Sequence, residues 1–225
     1  MTVTAARRHR ESIELRTRRR TMRAKRVFDV VGAAITLIVL SPVLAVVATL
    51  VAIRLGRPVL FRQQRPGLGG RPFTIIKFRS MLPVDTALGI ETDAQRLTPF
   101  GAALRASSLD ELPSLWNILR GDMSFVGPRP SLCRYLDLYT DEESRRHDVR
   151  PGLTGLAQVR GRNALPWPDR LRSDVEYVDR MSLRLDLAIL FRTIVVVLRR
   201  DGITAPGHVS SDPFEGSARM EAGTR

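Results

Sequence analysis

"LIVLSPVLAVVA" (residues 37–48) sets a Ser-Pro pair in the middle of an apolar run, and the reading of that pair decides the architecture. The uncharged stretch extends from Val30 to Ile53, between Asp29 and Arg54. As a straight helix it would measure about 36 Å, enough to span a hydrocarbon core. Pro42, near its centre, removes one backbone hydrogen bond and crowds the preceding turn. Both flanks are basic. Arg16, Arg18, Arg19, Arg20, Arg23, Lys25 and Arg26 precede the run; Arg54, Arg57, Arg62, Arg65, Arg71, Lys77 and Arg79 follow it, with no acid until Asp85. Basic flanks stay on the cytoplasmic side of a membrane, so two of them favour a segment that enters the bilayer and turns back at Ser41-Pro42. The competing reading is a single-pass helix with a tolerated proline kink. In the re-entrant form the Ser41 hydroxyl is a candidate partner for the carbonyl that Pro42 leaves free.

The net charge of +13 over 225 residues asks for a polyanionic partner: nucleic acid, anionic lipid or a phosphorylated substrate. Residues 1–26 hold ten Arg or Lys against Glu11 and Glu14, so residues 1–24 are expected to form a basic, disordered tail. Cys133 is the single cysteine, which rules out an internal disulfide and fits a reducing compartment. His9, His147 and His208 have no ligand spacing, so no zinc site is expected. The apolar run is too long for a signal peptide and no small-residue cleavage site follows it. Aromatic residues make up 6% of the chain and do not interleave with the basic ones, so a nucleic-acid partner is not expected. There is no P-loop and no G-x-G-x-x-G pattern.

After an anchor at 25–54, the pattern predicts an α+β, mostly helical domain over 55–203 and a loose tail over 204–225. "PVLFRQQRPGLGGRPFTIIKFRSM" (58–81) reads as two short strands around a turn at Pro66–Pro72. Residues 96–124 read as two helices separated near Ser107-Ser108. In the second, Leu109, Leu112, Leu115, Trp116 and Leu119 form an apolar face that ends at Gly121. A polar helix is expected near 131–147, between the rigid loops "VGPRP" (126–130) and "RPGLTG" (150–155). Two more are expected near 166–180 and 183–200, the last suited to a core or to a membrane surface.

The densest chemistry is in "SSLDELP" (107–113), where Asp110 and Glu111 are adjacent carboxylates at a helix start. Two readings stand. Ser108-x-x-Glu111 is a capping box, and acids there answer the helix dipole. Alternatively, Arg105 upstream and Arg129 between two prolines downstream make this a phosphate site, with carboxylates able to act as nucleophile or hold a divalent metal. The basic residues around the hairpin, Arg62, Arg65, Lys77 and Arg79, either rest on anionic lipid or bind substrate phosphates.

Taken together, "KRVFD" (25–29), the broken apolar run, the hairpin segment, "LTPFGAALRASSLDELPSLWNILRGDMSFVGPRP" (97–130) and "RPGLTGLAQVRGRNALPW" (150–167) resemble the bacterial sugar transferases, the monotopic polyprenyl-phosphate phosphoglycosyl transferases. The likeness runs in order from about residue 25 to 210 and is to the short, single-anchor form. It implies an enzyme that moves a sugar-1-phosphate from a UDP-sugar to undecaprenyl phosphate and releases UMP, as the first membrane step of glycan or exopolysaccharide assembly. Asp110 is implied as the nucleophile that carries a covalent phosphosugar, with Glu111 beside it and Mg2+ held at Asp110 and Glu111. Lys77, Arg79, Arg105 and Arg129 are implied near phosphate or nucleotide groups. Lys25, Arg26 and Asp29 are implied to set the anchor at the lipid head-group level, with Ser41 and Pro42 at its turning point. The implied partners are UDP-sugar, undecaprenyl phosphate and membrane lipid, with a homodimer left open. The implied location is the cytoplasmic face of a bacterial inner membrane. "DLAILFRTIVVVLRRDGITAPGH" (186–208) resembles members that use UDP-N-acetylated amino sugars. Leu156 in "GLAQV", where many relatives carry Trp, and the variant "DVEYV" (174–178) leave the sugar open. The other class consistent with the charge is a non-enzymatic, membrane-anchored basic module that binds anionic lipid or nucleic acid.

Overall fold

A computed structural model describes residues 2–161, 165–199 and 213–216, by backbone alone at 2–20 and 198–199. Helix α1 (Thr2–Val39) includes residues 2–24 of the expected basic tail. No Gly or Pro occurs before Gly32, and the segment is rich in good helix formers. Helix α2 (Ser41–Leu55) follows after Leu40, and the two helices bend by 64°. No single helix among the described residues is long and apolar enough to cross a membrane; this bent pair together is. The break is made locally. Pro42 cannot donate to the Ile38 carbonyl, and the Ser41 hydroxyl donates to it instead at 2.8 Å.

The outer faces of this pair are apolar and bare: Ile35, Ile38, Val39, Val46 and Ile53 are all exposed. The inner faces are packed. Ala33 of α1 joins the main core, and Gly32 allows the Phe125 ring to lie against the helix, where a Cβ would come within 2.8 Å of it. Val47, Val51 and Leu55 of α2 pack with Phe78 and Leu104 in a second cluster.

The expected hairpin is present. Strand β1 (Leu60–Pro66) pairs antiparallel with β2 (Pro72–Phe78), from Leu60 opposite Phe78 to Pro66 opposite Pro72. Side chains alternate across a strand, so Phe73, Ile75 and Lys77 share one face of β2. The first two are core residues, and Lys77 continues the row out of the core.

Short α3 (Asp93–Arg96) and α4 (Pro99–Ala106) lead to a tight 3-10 turn at Leu109–Ser114, which runs into α5 (Leu115–Arg120). The second expected helix therefore starts as a tighter coil, with Pro113 inside it. Leu115 and Ile118 fill the core, whereas Trp116, expected on the apolar face, is half-exposed. Strand β3 (Ser124–Val126) pairs in parallel with β4 (Gly152–Thr154), joining the two Pro-rich loops. Their crossing is close enough that a Cβ on Gly152 would lie 2.1 Å from the Gly127 nitrogen.

The single helix expected at 131–147 is instead a 3-10 turn at Cys133–Leu138, the short α6 (Asp141–Ser144) and another 3-10 turn at Arg145–Asp148. Tyr139 and Thr140 are extended, and Thr140 opens a new capping box with Glu143, which divides the segment. Helices α7 (Leu156–Arg160), α8 (Trp167–Arg180) and α9 (Leu183–Arg199) complete the fold. Residues 204–212 and 217–225 of the expected loose tail lie outside the described residues. Within 213–216, Phe214 is 3% exposed and docked among Tyr135, Tyr139 and Trp167.

Candidate active site

Three chain segments meet at the Asp110-Glu111 pair. The first is β2, whose clear edge is held by α5. Asn117, fully buried, accepts from the Ile76 N–H at 3.1 Å and donates to the Thr74 carbonyl at 2.7 Å, and Ser114 donates to the Ile76 carbonyl at 2.7 Å. These side chains substitute for a neighbouring strand and set the distance between Lys77 and the dyad. A polar residue placed between the apolar Leu115 and Ile118 is the sequence signal that could have found Asn117.

The second segment is the 3-10 turn. Ser108 adopts a left-handed backbone, with φ of 58°, and its side chain makes no capping bond to the turn. The capping-box reading is therefore set aside, because Glu111 turns the other way. Its Oε1 accepts from Lys77 Nζ at 2.5 Å and from Arg129 Nη2 at 2.6 Å, and Oε2 faces Arg129 Nη1 at 3.4 Å. The third segment, the loop after β3, supplies that Arg129. Among the described residues no hydrogen bond or ion pair occupies the Asp110 carboxylate, although the residue is only 8% exposed. The adjacent carboxylates thus have different environments.

Their proton affinities separate accordingly. Burial, reinforced by the charge of Glu111, pushes the Asp110 carboxyl up from 3.8 to about 6, against the pull of Lys77, Arg129 and Arg105. Burial would raise Glu111 too, but Arg129 and Lys77 outweigh it and hold Glu111 well below the usual carboxylate range. Burial lowers Lys77, with Glu111 pulling it back up. At neutral pH both carboxylates are ionised, and only Asp110 has oxygens free to react or to bind.

Arg105 lies near enough for its charge to act on Asp110, and its Nε donates to Ser80 Oγ at 2.8 Å. Arg79 Nη2 donates to the carbonyls of Leu55 and Gly56, clamping the last turn of α2. The residues Lys25, Arg26 and Asp29 tie the anchor to the rest of the fold. Lys25 is buried against Asp186 of α9 at 2.6 Å, and Asp186 also accepts from the Tyr177 hydroxyl at 2.7 Å. Arg26 donates to the carbonyls of Ile118 and Leu119 at the end of α5. Asp29, fully buried, accepts from Ser124 Oγ and the Phe125 N–H, each at 3.1 Å.

The chain matches the family model described as bacterial sugar transferase over residues 20–200. The protein belongs to the bacterial sugar transferase family. It is 46% identical over 199 residues to the "Uncharacterized sugar transferase EpsL" of Bacillus subtilis, covering 88% of this chain and 98% of that one. It is 43% identical over 189 residues to the "UDP-glucose:undecaprenyl-phosphate glucose-1-phosphate transferase" of Caulobacter vibrioides, covering 79% and 70%. It is 40% identical over 192 residues to the "Exopolysaccharide production protein ExoY" of Rhizobium meliloti, covering 77% and 85%.

A divalent ion can be tested against this donor set. Among the described residues no three His, Cys, Asp or Glu side chains cluster, so a cage made by protein alone does not fit. Magnesium commonly takes one or two carboxylates plus substrate phosphates, and Asp110 with Glu111 fits that pattern. Glu111 would have to share its oxygens with Lys77 and Arg129, which leaves Asp110 the freer ligand.

Proposed function

We propose that this sugar transferase moves a sugar-1-phosphate from a UDP-sugar to undecaprenyl phosphate by way of Asp110. An ionised Asp110 oxygen attacks the β-phosphorus, the bond from that phosphorus to the bridging oxygen breaks, and UMP leaves. The sugar phosphate is then held on the carboxylate as a mixed anhydride. A phosphate oxygen of the lipid carrier attacks the same phosphorus, the aspartyl bond breaks, and the polyprenyl diphospho-sugar departs with Asp110 restored. The observation that carries this reading is the division within the dyad, with Glu111 locked between two cations and Asp110 buried and unpaired.

Glu111 fixes Lys77 and Arg129 with their positive charge directed at the reacting phosphates. Arg105 adds positive charge beside the nucleophile. Magnesium, when bound at Asp110 and Glu111, supplies neutralisation of the diphosphate charge. The 64° bend at Leu40 and the two basic flanks support residues 25–54 as a re-entrant anchor and 55–203 as the catalytic domain, at the cytoplasmic face of a bacterial inner membrane. There a soluble nucleotide sugar and a lipid phosphate meet at one surface. The relatives' names support a role in exopolysaccharide assembly. The donor is an N-acetylated amino sugar on the resemblance of residues 186–208; the Caulobacter relative is named for UDP-glucose.

The experiment is UMP release from a panel of UDP-sugars, with and without undecaprenyl phosphate. The reading predicts a stoichiometric burst of UMP without acceptor for the correct sugar, and none from Asp110→Asn. Full turnover by that variant would overturn the assignment, and a preference for UDP-glucose would overturn the amino-sugar part alone.

A further inference from the structure

The loop that presents Arg129 is gripped from behind. Arg146, 2% exposed, places its guanidinium across Pro130: Nη2 donates to the Arg129 carbonyl at 2.8 Å and Nη1 to Ser131 Oγ at 2.8 Å. The same group pairs with buried Asp174 at 2.6 Å and donates to the Tyr139 hydroxyl at 2.6 Å. Tyr139 is itself placed by an aromatic box. Phe214 stacks on it at a centroid distance of 5.3 Å and an interplanar angle of 29°, and packs on Trp167 at 4.9 Å and Tyr135 at 5.7 Å.

The front of the loop is held through one carboxylate. The Arg129 side chain is 45% exposed and pairs with Glu111 at 2.6 Å. Its aim is set by Glu111 in front and by its backbone behind, which Arg146 grips at the Arg129 carbonyl while the Gly152 N–H holds the Pro128 carbonyl at 2.9 Å. We propose that Phe214, contributed by the C-terminal segment, is a positioning residue for the transfer reaction: it seats Tyr139, which seats Arg146, which fixes the Arg129 backbone in front of the dyad. The proposal rests on the reading of Asp110, Glu111 and Arg129 as the reacting centre.

A plain core role would lower stability and leave the chemistry of surviving molecules alone. The positioning role couples Phe214 to Arg129. The test is a double-mutant cycle on UMP release by the full chain in detergent, with unfolding followed in parallel. Phe214→Ala is expected to lower the release rate about tenfold, a fraction of the roughly hundredfold that a full 1 Å misplacement of a catalytic group can cost. In the Arg129→Gln background the same change should cost less than about twofold, because there is no guanidinium left to aim. Phe214→Leu, which refills the box, should restore most of the rate. Tyr139→Phe keeps the box packed and removes only the acceptor for Arg146; it should repeat the loss and the coupling even where Phe214→Ala folds poorly. Equal losses in both backgrounds, or no loss in Tyr139→Phe, would overturn the proposal while leaving the dyad intact. Full activity of Arg129→Gln and Asp110→Asn would instead overturn the reading of the centre itself.

Discussion

Replacing the proposed nucleophile should make the protein more stable, and only at neutral and alkaline pH. Asp110 is buried, lies against a second carboxylate, and has its proton affinity raised from 3.8 to about 6. A carboxyl whose folded value exceeds its unfolded value binds its proton more tightly in the fold. Its charged form therefore works against folding. That penalty is absent below about pH 4, grows between about pH 4 and 6, and is complete above. A shift of about two units corresponds to roughly 3 kcal/mol. Asn keeps the shape and cannot ionise, so Asp110→Asn should gain up to about 3 kcal/mol at pH 8 and almost nothing at pH 4. Urea unfolding of the detergent-solubilised protein at the two pH values measures it, with activity lost in parallel. A gain independent of pH, or a loss that grows with pH, would refute the electrostatic account of Asp110.

The same group should shape the rate. UMP release per unit of free enzyme and substrate should rise about tenfold per pH unit below about 6 and level off above it, since Asp110 attacks only when ionised; a profile flat from pH 4 to 8 would contradict this. Glu111, held ionised by Arg129 and Lys77, should add no limb of its own in that range. Asn117→Ala removes the clamp on β2 and leaves half-buried backbone groups of Thr74 and Ile76 without their side-chain partner, so unfolding should cost about 2 kcal/mol less, read from the urea midpoint. Tags at residue 1 and after residue 54 should both react with cytoplasmic reagents in spheroplasts; an external N-terminus would remove the re-entrant anchor.

Much of the site was legible because it is local. Asp110 and Glu111 are adjacent, Lys77 follows Phe73 and Ile75 on one face of a strand, and Arg129 is fixed between two prolines. The two strands of the hairpin followed from their apolar pattern and a Gly-Pro-rich turn, and Ser41 as a partner for the carbonyl freed by Pro42 from the geometry of proline. What escaped is non-local. The Lys25–Asp186 pair and the Arg26 bonds to α5 join residues far apart in the chain, and nothing in a basic flank distinguishes a buried lysine from one facing lipid. Asn117, Arg146 and Phe214 act through partners on other elements, so their own neighbours in sequence carry little sign of it. The segment 131–147 departs from one polar helix for a local reason, because Thr140-x-x-Glu143 is a capping box inside it.

The central claim is a sugar phosphate carried on Asp110. Enzyme mixed with UDP-sugar labelled at the β-phosphate, without lipid carrier, should acquire about one label per chain. Peptide mapping should place that label on Asp110, and added undecaprenyl phosphate should discharge it into lipid. Label that reaches lipid without ever residing on the protein, with UMP appearing only when the carrier is present, would contradict the account.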